Sequence, residues 1–149
     1  MVFTTVIVVL FLDQLTKYLA VKTLSLGQSI SVIKGILHFT LIHNRGAAFG
    51  MLKNQTNLFI LTSIFAIILI YFNLKKYRKA PSYIISLSLI LGGALGNLVD
   101  RLFLGYVIDF LDLRIWPVFN IADSAITLGA ILLGWSILRS PGHQVTRSP

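Results

Sequence analysis

The chain has 149 residues and a net charge of +8, yet only 12% of it is charged against 56% hydrophobic. A soluble domain carries about a quarter charged residues, so this balance places the chain in the membrane class. With no cysteine, disulfides and thiolate metal sites are excluded. His38, His43 and His143 stand at no metal-ligand spacing from one another or from an acid, and neither a metal nor another cofactor is expected. The basic residues are scattered between apolar stretches and form no basic face. They read as orientation signals, and nucleic acid is not an expected partner.

A membrane-spanning helix needs about 20 mostly apolar residues. Four stretches meet that length: residues 2–23, 57–74, 82–100 and 121–138. The first contains Asp13 and Lys17 and lacks a basic leader, so it reads as a retained span and not a cleaved signal peptide. The expected fold is an all-α membrane protein of four transmembrane helices, a single integral domain over residues 1–149, with 140–149 as a disordered tail.

The short connection after the second span carries Lys75, Lys76, Arg78 and Lys79, and by the positive-inside rule it is cytoplasmic. Both termini then lie in the cytoplasm, and the first and third loops face outside. In the first outer loop, Ile36 to Ile42 is rich in strand formers and is punctuated by Gly27 and Gly35, which predicts a small β-rich extracytoplasmic element. Such an element can hold an extended peptide by strand addition. Tyr106 to Leu111, in the third loop, also reads as extended chain. Trp116, Phe119 and Tyr106 suit the outer interface belt, and Trp135, Tyr71 and Tyr77 the inner one.

All five acids are aspartates, and charges near hydrocarbon are costly enough to point to function. Asp13 and Lys17 share a helix face at i, i+4, acid first, either as a structural pair or as the lining of a polar pocket. Their place in the outer half of the span favours the pocket. Asn44-Arg45-Gly46-Ala47-Ala48-Phe49-Gly50 is a small-residue segment whose Asn44 and Arg45 can meet a carbonyl or a headgroup. Gly92 and Gly96 read as helix packing, which leaves Asn97, Asp100 and Arg101 on one face at the outer end of the third span. Arg101 is expected to pair with Asp100. Asp109 lies in extended chain, and Asp123 in the first turn of the fourth span with Asn120 as a cap. Fourteen positions and Pro117 separate the two acids, enough chain to bring them together. Two carboxylates about 3 Å apart share a proton, one taking a proton from water while the other donates to a peptide carbonyl.

Five blocks in order, Asp13-Gln14-Leu15-Thr16-Lys17, Asn44 to Gly50, Gly92 to Arg101, Val107-Ile108-Asp109-Phe110 and Phe119-Asn120-Ile121-Ala122-Asp123, make the chain resemble the bacterial lipoprotein (type II) signal peptidases over nearly its whole length. The resemblance implies an aspartic endopeptidase of the bacterial inner membrane. It would cut diacylglyceryl-modified prolipoproteins before the lipidated cysteine, and globomycin would inhibit it. It implies Asp109 and Asp123 as the catalytic pair, with Asp13, Lys17, Asn44, Arg45, Asn97, Asp100, Arg101, Asn120 and Ala122 supporting the site or touching substrate. Prolipoproteins and membrane lipids are the expected partners, and a monomer the expected state. The competing class is a small proton- or ion-translocating protein. Against it, the acids cluster toward one face and form no chain across the bilayer.

Overall fold

The computed structural model describes residues 1–46, 55–76 and 81–139. The elements run α1 (Val2–Thr23), β1 (Ser29–Ile33), β2 (Leu37–Asn44), α2 (Thr56–Lys76), α3 (Pro81–Leu104), β3 (Val107–Asp112) and α4 (Ile121–Arg139). All four helices are long and apolar enough to cross a membrane. The basic connection after α2, Ala47 to Gly50 and the C-terminal tail fall outside the described residues.

At the centre is α3, which packs on α1, α2 and α4, while α1 also touches α4. Glycine allows that closeness. A Cβ at Gly92 would lie 2.8 Å from Val9 Cβ, and one at Gly93 would collide with the Ala122 carbonyl. The expected packing role of Gly92 is borne out, and Gly96 packs likewise against Asp13 and Ala122. The outer faces remain apolar: Phe3, Leu61, Phe65 and Leu138 are all exposed, as lipid-facing surfaces require. Gly105, at φ +78, ends α3 in a left-handed turn and sends the chain into β3.

The sheet is antiparallel in the order β1-β2-β3. The strand expected near Ile36–Ile42 is β2, shifted to Leu37–Asn44. The sheet is not a product of the first loop alone, because β3 comes from the segment between α3 and α4. In its register Ile42 faces Asp109 and Asn44 faces Val107, with a shift between Phe39 and Ile42 where Thr40 and Leu41 stand against the single Phe110. Leu41, Ile108 and Phe110 pack with Ala20 and Leu24 at the end of α1. This core seats the sheet on the helical bundle and fixes the height of Asp109 relative to α3 and α4.

Candidate active site

Behind the site lies a sealed charge cluster. Lys17 Nζ reaches Asp13 at 2.8 Å and Asp100 at 2.9 Å, and donates to Asn97 Oδ1 at 3.0 Å. An ammonium has three donors, and each has an acceptor here. Asp13, Lys17 and Asp100 are all buried, at 0%, 1% and 2% exposure, so none of them can meet a substrate. The remaining carboxylate valences tie elements together. The Ala122 backbone N donates to Asp13 at 2.9 Å, and that of Ile108 to Asp100 at 3.0 Å. Gln14 Nε2 donates to Asp100 at 3.0 Å and to Asp13 at 3.2 Å. The cluster thereby fastens α1 to α3, to β3 and to the start of α4. The expected Arg101–Asp100 pair does not form. Lys17 occupies Asp100 instead, because it reaches both acids from within the bundle.

Three asparagine amides carry this frame forward to two further carboxylates. Lys17 can only donate, so Asn97 must present its oxygen to it and its Nδ2 outward, where that amide donates to Asp123 Oδ1 at 2.8 Å. Asn120 caps α4: its Oδ1 accepts from the Asp123 backbone N at 2.9 Å, and Asp123 Oδ2 accepts from the Asn120 backbone N at 3.3 Å. This is a reciprocal capping box. Its Nδ2 is left to donate to Asp109 Oδ1 at 2.7 Å. Asn44 Oδ1 accepts from the Gly46 backbone N, which leaves its Nδ2 for Asp109 Oδ2 at 2.9 Å. Backbone N–H groups and an ammonium therefore settle how each amide is turned.

Asp109 and Asp123 both line an open cavity of about 280 Å³ with Arg101, Phe59, Trp116 and Phe119. Asp109 is 2% exposed. Burial, and next the charge of Asp123, push its carboxyl up to about 7, against the lowering pull of the Asn44 and Asn120 hydrogen bonds and of Lys17. Near neutrality such a group can take up or release a proton. Arg101 faces the same cavity as Asp109 and Asp123.

Of the residues singled out from sequence, Asp13, Lys17, Asn97, Asp100 and Asn120 form one connected network with Asp109 and Asp123, and Asn44 joins it through Asp109. Ala122 is fully buried and contributes its backbone N and its small size. Arg45 stays exposed and outside the network, although its charge, after burial, lowers the pKa of His43. Sequence reasoning missed Gln14 as a bridge, and Phe59, whose ring underlies Arg101 at 5.1 Å. Gln14 stood inside a block already noted, but nothing in one sequence distinguishes Phe59 from the other apolar residues of α2. Asp112 was counted among the five acids but given no role. Burial raises its pKa, but bonds from Thr40 and the Arg114 backbone, with the charges of Arg114 and His38, outweigh it and hold the carboxyl below its usual range.

The edges of β3 limit how a peptide can lie here. The Ile108 backbone N is taken by Asp100 and its carbonyl by Asn120, while the backbone N of Phe110 and of Leu111 bond the Phe119 carbonyl. On its other side β3 pairs with β2. The outer edge of the sheet belongs to β1, two strand spacings or about 10 Å from β3. Strand addition there would hold a chain away from Asp109.

Four helices able to span a membrane, three of them joined by a buried charge frame, with two amide-held carboxylates on one open cavity, define a multi-pass membrane protein. A family model for signal peptidase (SPase) II matches residues 5–139. A lipoprotein signal peptidase of Moorella thermoacetica is 49% identical over 142 residues, 93% of either chain. One of Halothermothrix orenii is 46% identical over 89% of this chain and 92% of its own. A bacterial membrane enzyme solved by the in meso method at 2.3 Å superposes with a TM-score of 0.90 at 33% identity, covering 99% of this chain and 93% of that one. The chain belongs to the signal peptidase II family.

Proposed function

We propose that Asp109 and Asp123 are the catalytic pair with which this peptidase removes signal peptides from prolipoproteins. The peptidase activity and the prolipoprotein substrate follow from the family. The cut falls on the amino side of the diacylglyceryl-modified cysteine. The observation that carries the reading is the pair itself: two carboxylates, each held by asparagine amides of fixed orientation, on one open cavity.

We place the proton that the pair shares at rest on Asp109, whose carboxyl is pushed up to about 7. Water between the two attacks the scissile carbonyl carbon and gives a proton to Asp123, while the Asp109 proton passes to the carbonyl oxygen. The resulting diol collapses: the C–N bond breaks, the amine takes the proton held by Asp123, and the hydroxyl proton returns to Asp109. Arg101 donates to the carbonyl oxygen as charge gathers there. Asn97, Asn120 and Asn44 keep the carboxylates oriented, and Asp13, Lys17 and Asp100 hold the frame behind them.

The density of positive charge in the connection after α2 supports cytoplasmic termini and a site at the outer face of the bacterial inner membrane. Every residue given a role comes from one chain, which supports a monomer. Purified protein given a diacylglyceryl-modified precursor should release the signal peptide, and Asp109→Asn or Asp123→Asn should abolish release. Wild-type release by either variant would remove the assignment.

A further inference from the structure

The least embedded helix is α2: its outward residues Leu58, Leu61, Phe65 and Leu69 are exposed, and it packs chiefly on α3. Two contacts secure its end near the site. Thr56 Oγ1 donates to the Gly105 carbonyl at 3.1 Å, and the Phe59 ring lies 5.1 Å from the Arg101 guanidinium carbon. Arg101 forms no ion pair among the described residues, and its one polar tether, NH1 to the Asn97 carbonyl, is long at 3.4 Å. Asp123 and Asp109 nevertheless line the same cavity. A guanidinium so weakly tethered beside two carboxylates would be expected to close on one of them in a bidentate pair. That pairing would take up the carboxylate needed as base and lower the pKa of the couple. An aromatic face attracts the cation without offering it a lone pair.

We propose that Phe59 is a positioning residue: its ring holds the Arg101 guanidinium at the cavity wall, off the carboxylate pair and free to donate to the substrate's carbonyl oxygen. The inference rests on the reading of Asp109 and Asp123 as the catalytic pair. It also gives α2 a part in the chemistry, which its sparse packing alone does not suggest.

The test uses the full chain in lipid and a synthetic diacylglyceryl-modified precursor. Phe59→Leu keeps an apolar side chain and removes the π face. It should lower kcat roughly 3- to 30-fold, the range of a partly desolvated cation–π contact, with KM little changed. The alkaline limb of its pH profile should move to lower pH as Arg101 falls onto the pair. Phe59→Tyr should restore both rate and profile. In an Arg101→Gln background, Phe59→Leu should cost nothing further, whereas a packing defect would cost the same in either background. An unchanged kcat in Phe59→Leu, an unshifted pH profile, or a full additional loss in the Arg101→Gln background would each overturn the proposal. Cleavage by Asp109→Asn would instead remove the reading beneath it, whatever the Phe59 variants do.

Discussion

Two clusters of carboxylates sit a few side chains apart in this protein and differ in what faces them. Asp13 and Asp100 lie between α1 and α3, closed from solvent, and share the ammonium of Lys17. Asp109 and Asp123 lie in front, on an open cavity, with neutral amides as their hydrogen-bond donors. A buried carboxylate bonded to a cation serves as a fixed strut, because removing either partner strands the other's charge. Asp109, buried, held by amides and crowded by Asp123, is pushed up to about 7 and can exchange protons near neutrality. Asn97 joins the two, accepting from Lys17 on one side and donating to Asp123 on the other.

The sharpest division between the clusters comes from neutralising one acid of each. Asp109→Asn or Asp123→Asn should lower turnover by roughly 10²–10⁴-fold, the usual weight of a positioned acid or base, with the melting temperature unchanged or raised. Lys17→Met should do the reverse in kind. It strands Asp13 and Asp100 without a cation and should cost about 3–5 kcal/mol of stability, read as a lower melting temperature in detergent and poor yield of folded protein. A stable Lys17→Met enzyme would mean that the rear cluster is not a strut.

The rear cluster was half legible in the sequence. Asp13 and Lys17 pair at i, i+4 as their spacing on a helix requires. Spacing within α3 could not reveal that Asp100 turns to Lys17 and not to its neighbour Arg101, because that choice depends on how α1 packs against α3. Four spans followed from hydropathy alone. The third strand was expected as extended chain, but its pairing with β2 is a tertiary fact with no local signal. The front cluster was legible as residue types, since Asn120 and Asp123 carry a capping pattern that one sequence displays. The orientations of Asn44 and Asn97 were not legible, because they are set by Gly46 and Lys17 through the folded chain.

A third change reaches both clusters through the backbone. A side chain at Gly93 meets the Ala122 carbonyl, a backbone atom that moves only if α4 moves. Gly93→Val should cost about 1–3 kcal/mol as overpacking does. It should also lower activity, since α4 carries Asp123 and receives the Asp13 bond at Ala122. A variant that lost stability but kept full turnover would separate helix packing from the placement of Asp123.

The smallest expected effect is in pH dependence, and it is read at the front cluster. The Asp109 carboxyl, raised from 3.8 to about 7, binds more protons folded than unfolded between those two values. Its contribution therefore makes stability fall as pH rises through that window, and the contribution is level below 3.8 and above about 7. Activity that needs the shared proton should likewise decline as pH rises through about 7. Asn44 donates to Asp109 and works against the shift, so Asn44→Ala should raise that carboxyl further. The alkaline limb of the cleavage profile should then move to higher pH, with a modest loss of rate at neutrality from poorer orientation. Asp109→Asn should erase the fall of stability across the same window. An Asn44→Ala profile that stayed in place would mean that the alkaline limb belongs to another group, and that the front cluster does not titrate where its burial places it.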